Sequence, residues 1–269
     1  MRPSALTQFR TLAGEAILDA VRRRIIAAIA VVSLLSLMLV DTCTTCGGGE
    51  VVVNGQVREI AAIAGWTGTV TFAVLALWSI VLAGVLASEH LAQTLADGSA
   101  TLALARPVGR GTFAFARLAG SLVIAFATGA VLLGGTAFFL EARSGLPMAP
   151  ALLAGASCAV GAVTIAALAM TTSLYLPRIA TVMLVFVATG AITLANLLGM
   201  FREATGGLMG AIDRFGPPLC TAIALALSPW IDEVRVPGSP LEIAIRHGGW
   251  ALASIALLVA AFRRVEIRD

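Results

Sequence analysis

Two stretches of this chain hold residue types that could do chemistry. Cys43 and Cys46 form a Cys-x-x-Cys pair after Asp41-Thr42, and three glycines follow them. Such a pair either closes a small disulfide loop, the outcome an oxidising compartment favours, or offers two thiolates to a soft metal such as Cu(I). A full metal site needs more ligands, and no second pair stands nearby. The other two cysteines, Cys158 and Cys220, read as small buried residues. The second stretch is residues 88–120, where Glu89, Asp97, Arg106, Arg110 and Arg117 lie between two long apolar runs. Gly98 permits a tight turn, Ser99 to Ala105 suit a short helix, and Pro107 holds Arg106 extended and ends that helix. Arg106 and Arg110 then flank a turn, where they can pair with carboxylates on a protein surface or with lipid phosphates.

Catalytic constellations are missing from the sequence. There is no GxxxxGK[ST], no HExxH and no GxSxG, and the chain contains no lysine to reach a phosphate. No catalytic residue is assigned, and no resident metal or cofactor is expected. His90 and His247 are the only histidines. They fall at opposite ends of their spans, which rules out a shared haem between them, and they read as surface or capping residues.

Composition says what must position these residues. The chain is 59% hydrophobic and 12% charged, with mean hydropathy +0.96. Soluble domains run at about 45–50% apolar and about 25% charged, so this is the composition of a polytopic membrane protein. The net charge of +3 comes from arginine alone and reads as topogenic, with no nucleic-acid partner implied. The first 24 residues hold five arginines with Glu15 and Asp19, too polar for the core of a cleavable signal. The run from Ile25 is better read as an uncleaved span.

Residues 5–24 repeat apolar side chains at helical spacing (Leu6, Phe9, Leu12, Ala16, Ile17, Ala20). Such a helix lies along a membrane surface. Spans are expected at 25–41, 64–87, 113–140, 150–174, 179–201 and 246–262. With six spans, twelve arginines fall on the side of the termini and six on the other, in line with the positive-inside rule, which makes that side the cytoplasm. Residues 202–245 are broken by Asp213, Arg214, Pro217 and Pro218. The run Leu219 to Trp230 would reach only about 18 Å as a helix, too short for a hydrocarbon layer of about 30 Å, so amphipathic or re-entrant helices at the outer face are expected. Gly129, Gly134, Gly135, Gly155 and Gly161 are expected to let neighbouring helices approach closely.

Span interiors hold almost no ionisable groups, and Asn196 is the most polar side chain well inside one. Ion-driven carriers place carboxylates there. Without such a relay and without an ATP site, the chain is either passive or driven by a partner.

The acid of residues 88–120, then Gly98-Ser99, the aliphatic Leu102 and Leu104, Arg106-Pro107-Val108 and Arg110 follow one another in order. The segment resembles the cytoplasmic coupling segment of ATP-binding-cassette type-2 permeases: roughly an acid, Gly-Thr, an aliphatic run, then Arg-Pro-Val-Ser-Arg. Here Ser99 stands for the Thr, Gly109 for the Ser, and Arg117 for a Lys that follows. Asp97 takes the position of the family acid beside the Gly, and Glu89 lies nine residues upstream of Gly98. The resemblance implies an ATPase-coupling role for Glu89, Asp97, Gly98, Arg106, Pro107 and Arg110. It further implies an all-α fold forming a single permease domain over 1–269. In that domain 5–24 is an interfacial elbow helix, 88–112 the cytoplasmic coupling segment, and 202–245 an extracytoplasmic stretch of short helices.

Such a subunit is not an enzyme. It pairs with a second copy or a related permease and binds two cytoplasmic ATPase subunits, which hold the ATP and Mg²⁺. The resemblance implies export, from a bacterial inner (plasma) membrane with both termini cytoplasmic. A pathway nearly free of charge, surrounded by membrane lipids, favours a hydrophobic substrate or force transmission to an extracytoplasmic partner. Two other classes fit the sequence: an anchor or assembly protein of a larger complex, and an extracytoplasmic metal or redox protein built on Cys43 and Cys46.

Overall fold

The computed structural model describes residues 5–22, 31, 38, 51–53, 56–58, 60–96, 109–201, 206–231 and 236–264. The expected first span at 25–41 therefore lies outside the described residues apart from two positions. Among the described residues, five helices are long and apolar enough to cross a membrane, the pattern of a multi-pass membrane protein.

An amphipathic helix, α1 (Ala5–Arg22), comes first. Strands β1 (Val51–Val53) and β2 (Gln56–Arg58) follow as a small antiparallel hairpin, with Val51 opposite Arg58 and Val53 opposite Gln56. The rest of the described chain is helical, as the all-α fold class expects. The signal for the hairpin was the Asn54-Gly55 pair, the dipeptide that two-residue hairpin turns favour. The bundle then runs α2 (Ile60–Ala96), α3 (Arg110–Ser144), α4 (Met148–Ser173) and α5 (Arg178–Phe201). Two short helices come next, α6 (Gly207–Phe215) and α7 (Leu219–Leu227), and the last is α8 (Pro240–Arg264).

The helices α2 and α3 outrun their expected spans. At 1.5 Å per residue their 37 and 35 residues reach about 55 and 52 Å, against about 30 Å of hydrocarbon. A helix satisfies its own backbone and continues into water without penalty, so an apolar run marks only the part inside lipid. A left-handed Gly145 (φ 67°) ends α3, its N–H bonded to the Glu141 carbonyl at 3.0 Å. The last helix starts at Pro240, six residues before the expected 246, and so takes the end of the expected 202–245 stretch. Ser239-Pro240-Leu241-Glu242 is a helix start: the Ser239 hydroxyl accepts the Glu242 N–H at 3.2 Å, and proline suits the first helical position.

Helix α4 is the central post, packed against α2, α3, α7 and α8. Its buried face is mostly small: Ala154, Ala162, Ala166, Ala167 and Ala169 among others. Close approach is real at Gly161, which lies against Ile80 of α2 and Leu219 of α7, and at Gly84, which faces Ile165 and Val185. Gly129, Gly134 and Gly155 behave differently. A Cβ on any of them would meet nothing within 4 Å. They line a crevice of about 340 Å³ between α3 and α4, with Ser79 of α2 also in its wall.

Residues 206–231 are built around α7. Leu219, Ile223 and Leu227 recur every four residues and are fully buried. At about 14 Å this helix enters the bundle without crossing it, whereas α6 buries no residue. The 3₁₀ turn Ser228–Trp230 anchors it. The Trp230 indole N–H donates to the Pro147 carbonyl at 3.0 Å, its ring meets Phe72 edge-on at 5.9 Å, and its own carbonyl lies against Gly65. Asn196, fully buried in α5, ties the short helices together. Its amide donates to Asp213 of α6 at 3.2 Å and accepts the Cys220 N–H of α7 at 3.2 Å. The final carbonyls of α6 are satisfied from α8, Arg214 by Arg246 at 3.2 Å and Phe215 by Trp250 at 2.8 Å. Cys158 and Cys220 are buried and free, as their sequence contexts imply.

Both histidines are buried, at 8% and 5% exposure, which overturns the surface or capping reading. The reason is visible for His247: Nε2 lies 2.8 Å from the Ser157 carbonyl of α4, so an imidazole on a packed face finds a partner without solvent. They do sit toward opposite ends of the bundle, one near the end of α2 and the other near the start of α8.

Candidate functional site: the arginine-rich end of the bundle

One end of the bundle collects the last turns of α2, α4 and α8, the first turns of α3 and α5, and the docked α1. Phe113 and Phe262 are its hydrophobic centre, fully buried and stacked at 5.7 Å between α3 and α8. Leu12, Leu118, Met170 and Leu258 pack into the same cluster. An aromatic at the start of α3 and another at the end of α8 are thus brought together by antiparallel helices, and the polar groups beyond them lie at the rim.

Glu89 of α2 accepts a charge-assisted hydrogen bond from Nη2 of Arg178, the first residue of α5. The turn between α4 and α5 is thereby tied to α2. Arg110, the first residue of α3, points Nη1 at the Arg263 carbonyl at 3.5 Å, the outer limit of a hydrogen bond. Beside it is a cleft of about 460 Å³ lined by Gly109, Gly111, Thr112, Phe115 and Val259 as well as the two arginines. Arg117 lies two turns further along α3. It is buried, with its guanidinium 5.5 Å from the centre of the Phe113 ring.

The amphipathic α1 sits on α3. Leu12 and Ala16 are buried, Phe9 meets Phe115 at 5.6 Å, and Gly120 leaves the gap that Ala16 fills. A Cβ at Gly120 would stand 2.6 Å from that of Ala16 and 3.1 Å from the Ala13 carbonyl.

Of the residues singled out in the sequence, Glu89 and Arg110 come to this end of the bundle, each held by a different neighbour. Asp97, Gly98, Arg106 and Pro107 lie outside the described residues, as do Cys43 and Cys46. The described chain stops at Ala96 and resumes at Gly109, so the helix ends that bracket the segment are defined. Sequence reasoning missed Arg178 as the partner of Glu89 and missed the burial of Arg117. The first had a faint signal, an arginine directly after Pro177 at a span's start. The second depends on which face of α3 turns toward α1 and α8. Among the described residues no group of three His, Cys, Asp or Glu side chains is placed to hold a metal ion.

The Arg178 side chain is 65% exposed, so the ion pair adds little to global stability, under about 1 kcal/mol. Its effect is local. Glu89→Gln is expected to leave the melting temperature within a few degrees while amide exchange at 174–180 rises about fivefold, read by mass spectrometry. An unchanged exchange rate there would mean that the turn is held by packing alone.

No protein-family model matches the chain, and no curated protein matches it.

Proposed function

We propose that this chain is the membrane-spanning subunit of an ATP-driven exporter, similar to ATP-binding-cassette type-2 permeases, and that a separate cytoplasmic ATPase moves it through residues 97–110. The observation that carries the reading is the bracketing of that arginine-bearing segment by α2 and α3, the two longest of the described helices. Force applied between Ala96 and Arg110 enters both helices at their ends. From α2 it reaches α5 through Glu89 and Arg178, and from α3 it reaches α8 through Arg110 and Phe113. The docking of α1 on α3 gives the elbow role a physical basis.

A second support is the charge inventory. The described spans carry carboxylates only toward their ends, at Glu89, Glu141 and Glu242. A proton or sodium relay needs them at mid-depth, so the drive comes from outside the membrane domain. In this reading the arginine-rich end and both termini face the cytoplasm of a bacterial inner membrane. The partner ATPases bind ATP and Mg²⁺, a second copy or a related permease completes the assembly, and the chain itself is not an enzyme. The cargo is hydrophobic, or force passes to an extracytoplasmic partner.

The test is recovery of the tagged chain from its native membrane in mild detergent, with mass spectrometry of whatever accompanies it. A stoichiometric soluble ATPase is expected, and Arg106→Glu with Arg110→Glu is expected to lower its recovery at least tenfold through charge reversal at the contact. A chain that comes away alone under several gentle conditions would refute the proposal and move the anchor and Cys-x-x-Cys readings forward.

A further inference from the structure

Helix α6 is amphipathic in the opposite sense to a helix on the surface of a soluble domain. Leu208, Ala211, Ile212 and Phe215 recur at helical spacing and form one apolar stripe. That stripe faces away from the bundle: Leu208 is 73% and Phe215 68% exposed, and Ala211 is exposed as well. The carboxylate is turned inward. Asp213 accepts the amide hydrogen of the fully buried Asn196, and Gly199 leaves the space that its oxygens occupy. In water the two faces would be exchanged.

Two further observations say what lies outside the stripe. One is depth. Helices α5 and α8 have 24 and 25 residues, about 36 and 38 Å, so each outruns a hydrocarbon layer of about 30 Å by little more than a turn. Asn196 stands about 8 Å before the end of α5, and Arg246 about 9 Å after the start of α8. Helix α6 is bonded to both, so it sits where headgroups give way to acyl chains. The other is the closure of its C-terminal end. A helix end in water leaves its last carbonyls to solvent, whereas one in lipid needs protein donors. Here the carbonyl of Ile212 accepts the Gly216 N–H at 2.7 Å, that of Arg214 the Arg246 guanidinium, and that of Phe215 the Trp250 indole. Tryptophan and arginine are side chains of the membrane boundary. Arg214 is exposed beside the Phe215 ring, 5.6 Å from its centre, and adds a cation to the rim of the stripe.

We propose that the partner of α6 is the lipid surface. The stripe from Leu208 to Phe215 lies in the acyl boundary of the leaflet at the end opposite the arginine-rich one, Arg214 meets the lipid phosphates, and the bond from Asn196 to Asp213 holds the helix at that depth. Asn196 also accepts the Cys220 N–H in the first turn of α7, so the seat of α6 in the lipid is joined to a buried helix. The inference is independent of the ATPase reading, and its test leaves the arginine-rich end untouched.

The experiment places the full-length chain in phosphatidylcholine nanodiscs with either of two diazirine-bearing phosphatidylcholines, the diazirine near the ester end or at the methyl end of the acyl chain. Cross-linked peptides are mapped by mass spectrometry. The ester-end probe is expected to label 207–216 about fivefold more than the methyl-end probe. Leu208→Ser with Phe215→Ser is expected to abolish this labelling and to raise amide exchange at 207–216 about tenfold. Both side chains lie outside the packing of the protein, so the melting temperature is expected to hold. Asp213→Ala removes the tether and keeps the stripe, so labelling is expected to persist while the ratio between the probes falls toward one. A ratio unchanged in Asp213→Ala would overturn the tether. Labelling of 207–216 by neither probe, or exchange unchanged in the double-serine variant, would overturn the lipid contact and leave α6 in water. Cross-links joining two copies of the chain through 207–216 would overturn it in favour of a second copy.

Discussion

Gly120→Leu is expected to lift α1 off the bundle. The new Cβ would fall 2.6 Å from that of Ala16 and 3.1 Å from a backbone carbonyl of α1, and two packed helices have no flexible tip there to yield. Overpacking of this kind costs about 1–3 kcal/mol, and the only elements that can separate are α1 and α3. Leu12, Ala16 and the Phe9–Phe115 contact would go together. The amphipathic helix would then rest on lipid alone. Tryptic cleavage at the exposed Arg10 is expected to rise by an order of magnitude in nanodiscs, with the helix bundle still folded. Gly129→Leu on the same helix faces open space and is expected to change neither property. If both variants cleave like the parent chain, α1 is not held by this contact.

Gly65→Val is expected to destabilise the protein more than Gly120→Leu does. A Cβ at this position would overlap the Trp230 carbonyl oxygen. The carbonyl cannot retreat, because the same residue is pinned by its indole N–H on Pro147 and by its ring on Phe72. Either the start of α2 moves away or the turn after α7 is expelled, and both routes uncover the buried Leu219–Leu227 face. A loss of about 3 kcal/mol or more corresponds to a melting temperature lower by roughly 10 °C. Trp230→Phe removes the hydrogen bond to Pro147 and part of the buried ring but leaves the backbone contact at Gly65 intact, so it is expected to cost less, about 1–2 kcal/mol. Thermal unfolding of the purified protein in detergent separates the two cases. Equal melting temperatures would show that the turn is free to slide.

The described spans were legible because a run of twenty apolar residues has few other uses. Their ends were not, for differing reasons. Helices α2 and α3 continue past the apolar run because nothing in Ser88–Ala96 breaks a helix, and in Arg110–Thr112 the single Gly111 lowers helix propensity without stopping the helix. The start of α8 was written in Ser239-Pro240-Leu241-Glu242 but masked by Glu242 and Arg246, whose charges suggest loop until Arg246 is seen closing the end of α6. The β-hairpin was announced by Asn54-Gly55 and overlooked beside a strongly helical composition. The candidate site was legible only in part. Glu89 and Arg178 are 89 residues apart, and no local pattern joins them. The small-residue pattern was read as close packing, which holds at Gly161 and Gly84 and fails at Gly129, Gly134 and Gly155, because a missing side chain permits contact and equally permits space.

The excess length of α2 has a mechanical meaning. A rigid rod of about 55 Å held by a layer of about 30 Å behaves as a lever with its fulcrum near mid-membrane. A tilt of roughly 10° swings each arm, about 27 Å long, by about 5 Å, and the two tips travel in opposite directions. Displacement at Ala96 therefore returns, reversed, at the start of α2, where Gly65 touches the Trp230 turn. In the exporter proposed above, such a lever would carry a displacement from one face of the membrane to the other.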